Sequence, residues 1–468
     1  MRGRPVAGLV VAVVAGLLAA CTGSSKAADA PSEQPVAAKS CSQVACEGTL
    51  QGARYRIVMP ARWNGTLLLY SHGYRFAQPV PPDFAKPSTD AVPAPGEDVA
   101  KALLDDGYAL AGSSYSRNGW AVREGVAADE KLYDYFAATI GRPRRVYLWG
   151  DSLGGLVTQT LAEKQLPWVR GAAALCGVLG GTNENLDVAV DVAYAVKVLL
   201  APTLQLTGYA SHQAAVAQWQ VGQRAVVSAA ARGGASAARL ALVAALVDAP
   251  DQTSRFDGST PDSRIGAAAE AVITGLGYGT YGRYEIEQRA GGNPSSNVGT
   301  DYRPRVSDSE RAAIDALGGA GATDRLLRLL DAGRRVSASP AAREKAAALG
   351  EPSGDLRVPT ITMHTTDDPL VLVQNERLFR DRVGSRGRTA QLLQLYVEPP
   401  KTYAAPAPYG AGHCNFTVAQ RLAVVDLLDS WVRTRARPDA ARLAVALYDA
   451  RGVTKDFVPP PWPVVADS

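Results

Sequence analysis

The sequence predicts an α/β fold: a mostly parallel sheet flanked by helices, with a large helical cap inserted late in the chain. Three observations carry this expectation. Apolar, strand-like runs alternate with helical patterns from residue 46 to about 177. One of these strands, Arg145 to Gly150, runs straight into a Gly-x-Ser-x-Gly turn and then into a helical pattern ending near Lys164. The alternation then stops, and residues 178–349 are Ala-rich with helical periodicity before strand-like runs resume.

The elements follow in order. Gly48 to Gln51 and Arg54 to Met59 are early strands, and Leu67 to Tyr70 is an apolar strand ending in Ser71-His72-Gly73-Tyr74. A helix over Asp98 to Leu104 feeds the strand Tyr108 to Ser113, and a helix over Val126 to Ala138 feeds the Arg145 strand. Ala172 to Leu175 is the next strand. Cap helices are expected over Leu186 to Leu200, Ala210 to Ala231, Ala237 to Val247, Arg311 to Leu317 and Arg325 to Ala332. The strands Val358 to His364 and Leu392 to Val397 complete the sheet. The resulting scheme is a leader over 1–20, a tether over 21–45, a core over 46–177, a cap over 178–349, a second core part over 350–436 and an extension over 437–468. A helix over Ala440 to Tyr448 and a Pro-rich run with Trp462 as anchor should pack that extension on the outside.

Four motifs carry chemistry. Gly150-Asp151-Ser152-Leu153-Gly154 between strand and helix places a serine hydroxyl on a sharp turn, clear of the sheet, at the N–H groups of a new helix. His72-Gly73-Tyr74 lies upstream at a strand end, so the backbone N–H groups of Tyr74 and Leu153 are the candidate pair for an oxyanion. Asp367-Asp368-Pro369 follows the strand that ends at His364. His413 sits in the glycine-flanked loop Tyr409-Gly410-Ala411-Gly412-His413. Of the four histidines, His72 belongs to the upstream loop, His212 to the helical insertion and His364 to a strand end before the acid, which leaves His413 as the candidate base.

Together these motifs, in the order Ser, Asp, His, resemble the α/β-hydrolase superfamily over roughly residues 46–177 and 351–436. The resemblance implies an α/β-hydrolase fold with a helical cap and a triad of Ser152, His413 and Asp368. Asp368 is favoured over Asp367 because His364 through Val371, H-x-x-x-D-P-x-V, is similar to the acid loop of that family. The letters Gly-Asp-Ser-Leu also match the GDSL or SGNH hydrolases. In those enzymes an acid stands three residues before the histidine, whereas here Leu69, Tyr209, Ile361 and Gly410 hold that place.

The implied activity is acyl transfer to water at a carboxylic ester. A peptidase or aminopeptidase on the same triad is the alternative, and a lipoprotein that keeps the fold but only binds a ligand is the second. Trp120, on a loop leaving a strand end, and Tyr278 and Tyr281, in the Gly/Tyr-rich segment Gly275 to Tyr284, are candidate substrate contacts. That segment is expected as flexible surface near the pocket mouth. Arg117 is expected as a solvated loop residue. No cofactor is implied, and no metal-ligand spacing is found.

Composition agrees with a globular enzyme: 468 residues, 47% hydrophobic and 20% charged. A formal net charge of +4 without a compact Lys/Arg run gives nucleic-acid binding no support. Arg2 and Arg4, the apolar run Val6 to Leu17 and Leu18-Ala19-Ala20-Cys21 resemble a bacterial lipoprotein signal with its lipobox, implying a lipid on Cys21. The apolar run is too short to span a membrane comfortably. The expected location is therefore extracytoplasmic and anchored to the membrane, with plain secretion as the alternative. Export makes Cys41, Cys46, Cys176 and Cys414 disulfide candidates. Cys176 and Cys414 both fall at the carboxyl edge of the sheet and make the favoured pair, although four cysteines allow three connectivities. Oligomeric state is not encoded in any of these features.

Overall fold

A computed structural model describes residues 45–462, and the lipobox, Cys21 and Cys41 lie outside them. Among the described residues nine strands form one sheet, in the order β1-β2-β4-β3-β5-β6-β7-β8-β9. They are β1 (Ala45–Leu50), β2 (Ala53–Val58), β3 (Thr66–Ser71), β4 (Ala109–Ser113), β5 (Arg145–Asp151), β6 (Val169–Leu175), β7 (Thr360–Thr365), β8 (Leu392–Val397) and β9 (Val453–Thr454). The strands from β4 through β8 pair in parallel, while β1, β2 and β9 join antiparallel at the edges. Every residue of β3, β4 and β7 is buried. This explains their continuous apolar sequences, because a parallel sheet covered on both faces has no solvent side. Helices Val122–Thr139 and Leu153–Glu163 pack on one face, where Leu69, Phe136, Leu148 and Val157 join one core. Helix Val418–Thr434 covers the other face, with Leu68, Trp149, Leu395 and Leu428 in a second core. The fold is that of the α/β-hydrolases, with a cap.

The cap lies between β6 and β7 and contains eight α-helices, from Thr182–Leu199 to Pro340–Ala347. It has its own core of Val192, Leu240, Leu276, Tyr302 and Leu327. Three of its helices, Pro261–Gly277, Arg283–Ala290 and Pro340–Ala347, are not legible in the sequence. The Gly/Tyr-rich segment departs from the expected flexible surface. It is a helix, running from Pro261–Gly277 through a π-helical turn at Tyr278–Gly282 into Arg283–Ala290. Gly279 serves close approach: a Cβ there would stand 2.7 Å from the Ala189 carbonyl oxygen on a neighbouring helix. That packing outweighs a helix penalty of about 1 kcal/mol per glycine.

The C-terminal extension packs its helix Ala440–Ala446 on helix Val418–Thr434 and also joins the edge of the sheet, with Val453 and Thr454 opposite Val397 and Tyr396, and Phe457 lies 5.1 Å from the Tyr396 ring centre. Leu443 and Phe457 anchor it, while Trp462 is half-buried.

Candidate functional site

Ser152 occupies the turn between β5 and the Leu153–Glu163 helix at φ 59° and ψ −124°. A non-glycine residue held there stores roughly 1–3 kcal/mol of strain. The flanking glycines make the turn possible. A Cβ at Gly150 would meet the Gly154 and Ser71 carbonyl oxygens at 2.5 and 2.6 Å, and one at Gly154 would stand 2.0 Å from the Ser71 oxygen. The Ser152 N–H donates to the Leu175 carbonyl at 2.9 Å, so β6 holds the turn from the other side.

The structure brings Ser152, His413 and Asp368 together from three separate loops. The Ser152 hydroxyl lies 2.7 Å from His413 Nε2, and His413 Nδ1 lies 2.7 Å from Asp368 Oδ2. Asp368 Oδ1 accepts from the backbone N–H groups of Leu370 and Val371, both at 2.9 Å. Burial would raise the Asp368 carboxyl, but His413 and His364 beside it outweigh burial and hold it well below the usual carboxylate range. Asp367 points elsewhere: its carboxylate accepts from the Thr366 hydroxyl at 2.7 Å, and burial pushes it up to about 6. Its carbonyl takes the Gly412 N–H at 2.9 Å, which ties the acid loop to the histidine loop.

Cys176 and Cys414 form a disulfide with Cα atoms 5.4 Å apart. It clamps the residue after His413 to the end of β6, and Cys414 Sγ lies 3.4 Å from His413 Nε2. Cys46 is also disulfide-bonded.

Three partners are invisible to sequence reasoning. His364, wholly buried, places Nε2 2.7 Å from the Val371 carbonyl oxygen and 3.6 Å from Asp368 Oδ2, and Nδ1 3.3 Å from Glu376 Oε1. Glu376 also accepts from the Thr362 hydroxyl and, at 2.6 Å, from the Gln394 amide. Behind the elbow, both oxygens of Asp151 accept from Arg421 Nη1, at 2.9 and 2.7 Å. Only the H-x-x-x-D spacing hints at any of these. His72 stacks on Tyr115 at 4.0 Å, and burial lowers it to about 4. His212 bonds the Pro79 carbonyl oxygen at 2.8 Å.

An apolar cavity lies over Ser152. Tyr74 and Leu153 line it, as do Trp120 and Tyr278. The Leu153 N–H is among the free donors of a helix start, and the Tyr74 N–H donates to no backbone carbonyl among the loop and turn hydrogen bonds of the described residues. Trp120 is fixed by its indole N–H on the Thr182 hydroxyl at 3.0 Å. Tyr281 does not line the cavity; it packs against Phe76 and Trp219 at 5.5 and 5.8 Å between ring centres. Arg117 is exposed and reaches Glu285 at 3.3 Å. Among the described residues, Cys176, His413 and Cys414 cluster closely enough to suggest metal ligands, but the two sulfurs are consumed by their disulfide.

No protein-family model and no curated protein matches this chain. Solved structures do. An esterase from Aspergillus oryzae is 11% identical with TM-score 0.40, covering 84% of this chain and 80% of its own. The rice cell wall degrading esterase LipA from Xanthomonas oryzae is 12% identical with TM-score 0.33, covering 76% and 82%. A proline iminopeptidase from Mycobacterium smegmatis is 12% identical with TM-score 0.34, covering 82% and 94%. Likeness at this level says nothing of substrate, and the chemistry rests on the site's own geometry.

Proposed function

We propose that this protein is a serine hydrolase that cleaves carboxylic esters through an acyl-enzyme. The observation that carries the proposal is the unbroken hydrogen-bonded path from Ser152 through His413 to Asp368, both links at 2.7 Å. Ser152 attacks the carbonyl carbon while His413 Nε2 takes its proton. Tyr74 and Leu153 N–H groups hold the tetrahedral oxyanion, and His413 returns the proton to the departing alcohol. Water then repeats the sequence and releases the acid. Asp368 orients the imidazole and stabilises its cation.

Esters are favoured over peptides with a free amino terminus because, among the described residues, no side chain lining the cavity is ionised. An ammonium group would enter there without a counter-charge, which is costly. The test is labelling with a fluorophosphonate beside turnover of an activated short-chain aryl ester. Both should be lost in Ser152→Ala. Absence of labelling in the wild type would overturn the proposal and leave a ligand-binding protein on this fold.

We also propose that the protein works outside the cytoplasm, lipid-anchored through Cys21. The Cys176–Cys414 disulfide supports an oxidising compartment. Labelling by a fatty-acid analogue that persists in Cys21→Ser would overturn the anchor.

A further inference from the structure

We propose that the cavity over Ser152 holds the acyl part of the substrate, and that this part is an aliphatic chain reaching up into the cap. The inference rests on Ser152 being the nucleophile. Two observations carry it.

The first concerns which side of the scissile bond the cavity serves. His413 must stand next to the leaving oxygen to protonate it. Neither His413 nor any other residue of its loop lines the cavity, whereas Leu153 and Tyr74, the oxyanion donors, do. On this proposal the cavity receives the acyl side of the carbonyl carbon and the alcohol leaves elsewhere.

The second concerns its chemistry. Beyond the aromatic mouth the walls are Val188, Ala189 and Val192 from one cap helix, Ala271 and Gly275 from another, and Ile286 from a third. The one amide on the wall is already committed: Asn185 Nδ2 donates to the Gly181 carbonyl and to Asn375 Oδ1 at 2.8 and 2.9 Å, and its own oxygen accepts from Asn375 at 3.2 Å. The Trp120 N–H is held by Thr182. Apart from the Tyr74 and Tyr278 hydroxyls and Ser152 itself, a polar acyl group would find no side-chain partner on these walls, and a hydrocarbon needs none.

Two ester series read this out: p-nitrophenyl esters from acetyl to decanoyl, and acetates of alcohols of increasing length. In the first, kcat/KM should climb about fourfold per methylene until the cavity is full, the equivalent of about 0.8 kcal/mol per buried CH₂. The second should stay flat. Ala271→Phe, which fills the cavity, should lower the octanoyl-to-acetyl ratio about tenfold or more. Val192→Ala, which enlarges it, should shift the optimum to longer chains, so a misfolded Ala271→Phe leaves a second arm. Preference that follows the alcohol, or flat profiles in both series, overturns the inference while leaving the nucleophile in place. Absence of both turnover and labelling of Ser152 overturns both.

Discussion

His364 Nε2 lies 3.6 Å from Asp368 Oδ2, the same oxygen that receives His413 Nδ1 at 2.7 Å. Both ring nitrogens of His364 face acceptors, the Val371 carbonyl oxygen and the Glu376 carboxylate, so the ring is a buried imidazolium. Burial alone would lower it, but Asp368 and Glu376 push it up to about 10.

That cation draws on the carboxylate that serves His413. In His364→Gln that charge is gone from beside Asp368, and the acidic limb of kcat/KM moves to higher pH. A pH–rate profile that does not move would show that His364 carries no charge there. The same group links to stability. Its folded value lies above the ordinary 6.5, so its contribution is complete below pH 6.5 and is lost as pH rises through about 10. The thermal stability gap between wild type and His364→Gln should therefore be widest near pH 6 and close above pH 10.

In the proposed mechanism Ser152 and His413 act as one unit. Ser152→Ala and His413→Ala should each abolish burst and turnover, and the double variant should lose little more, retaining about 10³–10⁴ over water. Additive losses, measured as kcat, would contradict the triad.

The Cys176–Cys414 bridge closes a separation of 238 residues and restrains His413 through its neighbour. Cys176→Ser with Cys414→Ser should cost about 2–4 kcal/mol of stability in denaturant unfolding. Activity should fall at temperatures where circular dichroism still reports the native fold, because the loop is released before the sheet melts.

Arg421→Ala should destabilise by about 3–5 kcal/mol, because it strands a buried carboxylate. Burial already raises the Asp151 carboxyl against the opposing pull of Arg421. Pairing Arg421→Met with Asp151→Asn should recover most of the loss in urea titrations, since no charge is then left unpaired.

Tyr278 and Tyr281 separate by function. Tyr278→Ala should change relative kcat/KM among substrates, because Tyr278 lines the cavity beside Ser152. Tyr281→Ala should lower stability by about 1–3 kcal/mol with the substrate ranking kept, because its ring packs on Phe76 and Trp219.

What the sequence determined by itself is whatever depends on near neighbours. The buried strands are legible because a sheet covered on both faces demands apolar residues throughout β3, β4 and β7. The elbow is legible because Gly150 and Gly154 must lack a Cβ for the turn to pass the Ser71 carbonyl. The loops bearing Ser152, Asp368 and His413 each carry a local signature of strand end, proline or glycine. What only the tertiary structure decided depends on partners far along the chain. Arg421 reaches Asp151 across 270 residues, and nothing near either residue announces the other. His364 looks like an ordinary strand-end histidine until Glu376 and Asp368 close around it. The glycines at 275–282 favour a loop by local propensity, yet the segment is helical, and at Gly279 the neighbouring helix passes so close to the backbone that only glycine fits. The same packing turns Tyr278 to the cavity and Tyr281 into the cap interior, a choice of face that spacing alone could not make.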